Sequence, residues 1–324
     1  MSLDMGEINV IEMRMMDTRK YYPLTLASGF SIRSILYPFM LIKTRLQIQR
    51  GNSLYKGTFD AFLKIARREG VAGLYRGFWV SCLHLGPSMS YITSYEWTRH
   101  HLSEKAKITN TKVLSLPSGG VASVIGQTFS VPIDIVTQHL MLMGRKTESS
   151  KRVQEKLSSL QTLYIPEEAR YSRVGAVKAI VEVVYRQGGI MGFYKGYVVS
   201  LLAFAPNSAL WWFFYDIYSG GLTAISPEWI PRLALKVVAA PAGGISSALI
   251  THPLDVIRAR IQVEGRPLKE TIEILWAEEG IWMLTKGLSA RLVQSVTFSF
   301  FIILGYETIK RWSLLDHYKD KVRW

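Results

Sequence analysis

The stretch Pro253-Leu254-Asp255-Val256-Ile257-Arg258-Ala259-Arg260-Ile261-Gln262 decides the fold, because the chain carries its pattern three times. Pro38-Phe39-Met40-Leu41-Ile42-Lys43-Thr44-Arg45-Leu46-Gln47 and Pro132-Ile133-Asp134-Ile135-Val136-Thr137-Gln138-His139-Leu140-Met141 align with it, the prolines lying 94 and 121 residues apart. A glycine, aromatic, base, glycine segment follows each copy: Glu69-Gly70 to Tyr75-Arg76-Gly77, Gly188-Gly189 to Tyr194-Lys195-Gly196, and Glu279-Gly280 to Thr285-Lys286-Gly287. A third element closes each repeat, Tyr95-Glu96 to Arg99, Tyr215-Asp216 to Ser219, and Tyr306-Glu307 to Lys310. Three motifs in one order, three times over, define a repeat architecture, and a fixed period decides a fold that local propensity leaves open.

The segments between these motifs are long and nearly uncharged. Residues 21–42, 78–95, 112–136, 197–215, 233–257 and 288–306 each reach the roughly 20 residues a helix needs to cross a bilayer, which predicts six spans in an all-α membrane protein. Small and polar residues such as Ser28, Gly29, Ser31, Gly119, Gly120, Gly126, Gly243 and Gly244 are scattered through them, the mixture that close helix packing around a polar interior requires. In the first link, Phe59, Phe62, Leu63 and Ala66 recur at helical spacing opposite Lys64, Arg67 and Arg68. This pattern fits either an amphipathic helix on a membrane surface or a soluble core helix.

Composition narrows the function classes. Among 324 residues, 39 Lys plus Arg against 25 Asp plus Glu give a net charge of +14, and the three links 43–77, 137–196 and 258–286 carry +11 of it. Basic loops stay on one side of a membrane, so these links face one compartment. A nucleic-acid binder would place the charge on a soluble stripe, and the spans argue against it. One cysteine, Cys82, excludes a disulfide framework and a multi-cysteine metal cluster, and no metal site is expected. The first twenty residues contain Asp4, Glu7, Glu12 and Asp17, whereas cleavable targeting segments are acid-poor. An enzyme would need a nucleophile and base within reach of one another, and the repeat pattern sets none together.

These motifs resemble the mitochondrial carrier family, whose repeat reads Pro-x-acid-x-x-base, then acid-Gly-x4-aromatic-base-Gly. The resemblance spans residues 20 to 312. It implies a solute transporter of the mitochondrial inner membrane, with six transmembrane helices around a pseudo-threefold axis, three short matrix helices, basic loops in the matrix and both termini in the intermembrane space. The expected organisation is an N-terminal segment 1–20, repeats at 21–110, 111–228 and 229–312, and a tail 313–324. The second repeat is longer, with 57 residues from Pro132 to Gly189 against 32 from Pro38 to Gly70. The excess lies in 144–170, a charged, Ser-rich stretch without a sustained apolar period, expected to be a mobile matrix loop.

The resemblance also implies site residues. Asp134 with Arg258 and Asp255 with Lys43 would close the cavity toward the matrix, with Gln47 and Gln262 at the bracing positions. The third matrix pair would join positions 40 and 137, which hold Met40 and Thr137. Both partners are absent together, so no buried ion is orphaned. On the cytoplasmic side Arg99 would meet Asp216 and Lys310 would meet Glu96, while Ser219 leaves Glu307 without a base. The family's solute contact points map to His84, Ala203 with Phe204, and Gln294, beside Arg33, the one permanent base expected at that depth. His84 reads equally as a packed, hydrogen-bonded histidine, and Trp211 and Trp212 as lipid-facing or solute-facing. Gly57, Arg76, Gly77, Lys195 and Gly196 stand where helix starts bind phosphate, which in the family holds cardiolipin as a structural lipid; plain helix capping is the other reading. No cofactor is expected, and the protein is expected to be a monomer.

Within the family, the runs Tyr37 to Gln47, Val131 to His139, Pro206 to Trp212 and Lys286 to Arg291 resemble the branched-chain amino acid carrier subfamily. One arginine holds one carboxylate in a bidentate pair, which suits a small monocarboxylate or zwitterion. Another amino acid, or a non-transporting scaffold of the same fold, are the alternatives.

Overall fold

The computed structural model describes residues 15–51, 53–106, 111–143, 172–227 and 229–315, with 163, 165, 166 and 169; the side chains at 96, 99, 103–106, 111–116, 173, 306 and 307 lie outside that description. Ten α-helices make up the described chain: α1 (Thr18–Ile48), α2 (Thr58–Glu69), α3 (Phe78–Ser81), α4 (Leu85–Ala106), α5 (Thr111–Leu142), α6 (Arg173–Gly188), α7 (Tyr197–Ile225), α8 (Arg232–Glu264), α9 (Leu268–Glu279) and α10 (Leu288–Ser313). Short 3-10 turns at Val71–Tyr75, Gly189–Tyr194 and Gly280–Leu284 follow α2, α6 and α9. Each repeat is therefore a long helix, a short helix, a turn and a second long helix.

The long helices form a ring. α4 lies against α5, α5 against α7, α7 against α8, α8 against α10, and α10 against α1, while α1 and α4 touch more sparsely. The three first helices of the repeats, α1, α5 and α8, also meet one another in pairs. Pro38, Pro132 and Pro253 sit inside these helices, each removing one i to i−4 hydrogen bond. Small residues permit the close approaches: a Cβ at Gly243 would lie 3.0 Å from the Tyr215 nitrogen, and one at Gly244 2.6 Å from the Ser299 hydroxyl.

Among the described residues five stretches are long and apolar enough to cross a membrane: Thr18–Ile48, Pro117–Leu142, Val174–Ile225, Arg232–Glu264 and Leu288–Ser313. The span expected at 78–95 is not among them. It is polar, and a 3-10 turn at Cys82–His84 separates α3 from α4. Its hydroxyls are satisfied along the helix, Ser88 donating to the His84 carbonyl at 2.9 Å and Ser94 to that of Ser90 at 2.6 Å, and it still completes the ring between α1 and α5.

The short helices lie outside the ring at the end carrying the basic links. In α2 the buried stripe is Ala61, Ile65 and Glu69, whereas Phe59 is 75% exposed. The expected stripe is thus divided: Ala66 packs against the core cluster and Leu63 is half-buried, while Phe59 and Phe62 turn outward. In the second repeat, Leu163 and Ile165 pack with Ala176, Ile180 and Val184, so this part of 144–170 is anchored rather than mobile; most of the remainder falls outside the described residues. At the opposite end Met16 bridges Leu314, the Asp17 amide donates to the Ser313 carbonyl at 2.7 Å, and Met15, Met16, Tyr21, Ile309 and Leu314 form one apolar cluster.

Candidate functional site

Two ion pairs tie the proline-motif helices together. Lys43 on α1 places its Nζ 2.5 Å from Asp255 Oδ2 on α8, and Arg258 on α8 binds Asp134 on α5. These side chains are all at least three-quarters buried. Gln47 donates to Asp255 at 3.4 Å. Gln262 does not reach an ion pair: it accepts from Gln138 at 2.5 Å and donates to the Ser200 hydroxyl at 3.1 Å. That glutamine bridge joins the second and third repeats through neutral groups. Thr137 is buried, with no hydrogen-bond partner on its hydroxyl, and Met40 packs against the cluster around Tyr37 and Leu41, so neither position of the missing third pair holds an ion.

Behind this layer lies a second, more deeply buried ionic set. Arg45 grips Glu69 through both guanidinium nitrogens, the side chains being 0% and 2% exposed, and it also donates to the Tyr55 hydroxyl at 3.2 Å and the Met141 carbonyl at 2.8 Å. Arg260 is bound by Glu264 at 2.7 Å and Glu279 at 3.5 Å, and donates to the carbonyls of Gln47 and Gln49, each at 3.1 Å. Lys286 contacts Glu279 and the Gln49 carbonyl, and burial pushes its ammonium down to about 8. The signal for this set was present in the sequence: the motif's second base, Arg45 or Arg260, recurs with the acid Glu69 or Glu279 that opens the following segment.

Above the ion pairs, Arg33 is partly buried on α1, and its Nη1 is buried without a hydrogen-bond partner. Arg33 is not the one permanent base there. Arg291 on α10 extends its Nη1 to 3.7 Å from Asp255 and donates from Nη2 to Thr251 Oγ1 at 2.7 Å and Asn207 Oδ1 at 3.4 Å. Sequence reasoning passed over it because Arg291 lies outside the three contact positions. His84 is also engaged: its Nε2 is 3.0 Å from Asp134 Oδ1 and its Nδ1 3.0 Å from the Ser81 carbonyl. The turn at Cys82–His84 directs it to the acid. Ala203 is buried, Phe204 meets Tyr91 edge to face at 6.1 Å, and Gln294 has a buried, unpartnered Oε1. Trp211 donates to Ser299 at 2.9 Å and stacks on Tyr215, while Trp212 is 55% exposed.

Of the expected cytoplasmic residues, Asp216 is exposed on α7 and Lys310 is buried near the end of α10. Glu96, Arg99 and Glu307 have side chains outside the described residues. Gly57 starts α2, and Gly77 and Gly196 enter α3 and α7 in the left-handed conformation, with φ of 85° and 74°. Arg76 accepts a 2.5 Å hydrogen bond from the Tyr37 hydroxyl on its carbonyl, and Lys195 Nζ lies beside Gly265. Among the described residues no group of three His, Cys, Asp or Glu side chains is placed to hold a metal.

The model of the family described as mitochondrial carrier protein matches residues 19–106, 110–225 and 231–317. Solute carrier family 25 member 44 of Homo sapiens is 41% identical over 322 residues, covering 99% of each chain, and that of Mus musculus is equally similar. The human mitochondrial electrogenic aspartate/glutamate antiporter is 28% identical over 312 residues, covering 91% of this chain and 41% of its own.

Proposed function

This chain belongs to the mitochondrial carrier family, so it is a multi-pass transporter of the mitochondrial inner membrane and not an enzyme, and we propose that it carries branched-chain amino acids, leucine, isoleucine or valine, into mitochondria by alternating access. The observation that carries the solute class is Arg33, whose Nη1 is buried with no hydrogen-bond partner. A buried donor left open is costly, and a carboxylate satisfies a guanidinium in bidentate geometry. Arg291, the other base on these walls, is committed through Nη2 to Thr251 and Asn207, while its Nη1, which also makes no hydrogen bond, lies 3.7 Å from Asp255. Arg33, which forms no ion pair among the described residues, suits one carboxylate, with Ala203, Phe204 and Gln294 setting the preference for the side chain. Asp134 with Arg258 and Asp255 with Lys43 form the matrix gate, and Glu96, Arg99, Asp216, Glu307 and Lys310 belong to the cytoplasmic one. The basic links face the matrix and both termini the intermembrane space. The protein works as a monomer, with cardiolipin at the helix starts marked by Gly57, Arg76 with Gly77, and Lys195 with Gly196.

The test is uptake of labelled leucine by purified protein in proteoliposomes. Losing a charge-assisted bond to a ligand costs about 2–5 kcal/mol, so Arg33→Ala is expected to weaken uptake more than tenfold. Arg33→Lys should rescue only part, because an ammonium cannot grip both carboxylate oxygens. Uptake of citrate, a nucleotide or aspartate, with none of leucine, would overturn the assignment. A solute with two carboxylates would have to take Arg291 away from Asp255 as well.

A further inference from the structure

Each acid of the matrix-side layer is touched by two bases that differ in where they are anchored. Asp255 on α8 meets Lys43 on α1, a helix of another repeat, at 2.5 Å, and Arg291 on α10, a helix of its own repeat, at 3.7 Å. Asp134 on α5 meets Arg258 on α8 through Oδ2 and His84, beside α4, through Oδ1 at 3.0 Å. The first base of each acid bridges two proline-motif helices. The second comes from a helix packed alongside the acid's own helix, α10 on α8 and α4 on α5. Arg291 is further fixed in place, since Thr251 on α8 and Asn207 on α7 take its Nη2 and are themselves joined by a 2.9 Å hydrogen bond.

We propose that Arg291 is the resident counterion of Asp255, and His84 in parallel a resident hydrogen-bond partner of Asp134: they remain beside Asp255 and Asp134 when Lys43 and Arg258 depart, so an open gate exposes no orphan carboxylate. This rests on the alternating-access reading above. Opening toward the matrix parts α1, α5 and α8 and so breaks Lys43–Asp255 and Arg258–Asp134. The contacts within α8–α10 and α4–α5 need not change. A buried ion whose partner is removed is strongly destabilising, and without a resident base that cost falls on the open state. The closed state still offers Asp255 both Lys43 and Gln47. The two bases on one acid therefore have opposite effects: Lys43 holds the gate shut, and Arg291 makes opening possible.

A thiol reporter reads the sign directly. Cys82→Ser removes the chain's one cysteine, and Thr137→Cys places a thiol in the gate layer at a site that is 3% exposed and whose hydroxyl makes no hydrogen bond. Labelling by a membrane-impermeant maleimide is then followed in inverted inner-membrane vesicles, which present the matrix face. Arg291→Gln is expected to slow labelling about tenfold, and Lys43→Gln to accelerate it. Unchanged or faster labelling in Arg291→Gln makes Arg291 an ordinary closing bond, or an irrelevant one, and overturns the inference while leaving the gate intact. If Lys43→Gln also leaves the rate unchanged, the gate reading itself fails and takes the inference with it. Should Arg291→Gln not survive purification, His84→Leu carries the same test on the other acid: slower labelling supports the proposal and faster or equal labelling overturns it.

Discussion

The second repeat and its two neighbours share one architecture and hold their basic-end corners together by different means. In the first repeat Arg45 and Glu69 form a fully buried pair, and in the third Arg260 sits among Glu264, Glu279 and two carbonyls. The equivalent positions of the second repeat are His139 and Gly188. There the corner is an apolar cluster of Val131, Ile135, Leu140, Ile180 and Val184, completed by Leu163 and Ile165 from its longer link. The gate layer follows the same division, since Thr137 and Met141 of the second repeat replace a base and a glutamine. In this gate layer and corner the charges are lost as partners, Met40 with Thr137 and His139 with Gly188, because a lone buried ion costs far more than a pair contributes.

The largest effect expected from this comparison is at the gate. Lys43→Asp sets two carboxylates where an ion pair stood and should lower uptake about a hundredfold, whereas adding Asp255→Lys should restore part of it. Equal loss in the single and double variants would mean that the residues do not couple. In the ionic corner, Glu69→Leu leaves Arg45 buried without its partner and should cost about 3–5 kcal/mol of stability in denaturant unfolding. The added change Arg45→Met, which imitates the neutral second repeat, should recover most of that loss; no recovery would show that the corners are not interchangeable. In the apolar corner, Ile180→Ala removes a completely buried side chain and should cost about 2–4 kcal/mol. A loss below about 1 kcal/mol would mean that Leu163 and Ile165 contribute little around it.

The smallest expected effect concerns pH. Lys286 is held near 8 by burial, below the ordinary 10.5 that the unfolded chain retains. Between those values the unfolded state binds the extra proton, so stability rises with pH. The melting temperature of the wild type, relative to Lys286→Met, should therefore increase by about 2 °C from pH 8 to pH 10. A difference that is flat or falling would show that Glu279 keeps Lys286 charged throughout. Lys195, its counterpart in the second repeat, faces Gly188 in place of that glutamate in the motif and offers the control.

The ring of helices was legible because its determinants are local and periodic: a proline, an acid and a base at fixed spacing, three times, followed by a long uncharged run. The residues of the contacts Asp134–Arg258 and Asp255–Lys43 were legible for the same reason, while their pairing came from the family resemblance. What escaped depends on direction. His84 is a contact position by count, yet a 3-10 turn aims it at Asp134. Arg291 lies three residues before Gln294, less than one helical turn away, and that offset turns its guanidinium to Asp255. Gln262 carries the bracing residue type but finds Gln138, since the position opposite it holds no charge. Helix α2 shows the limit of periodicity: two interleaved stripes satisfy it, and burial selects Ala61 with Ile65 over Phe59 with Phe62.

The bridge between Met16 and Leu314 has a consequence for chain topology. Because α1 and α10 are clasped where the described chain enters and leaves the ring, the closed circle of three units has no structurally privileged first member. A covalent link between those points, with a new break between the first and second repeats, would present the units in the order two, three, one around an unchanged circle. Entry and exit points that lie together are what circular permutation requires. The order in which the repeats are synthesised is then separable from the order in which they close the ring.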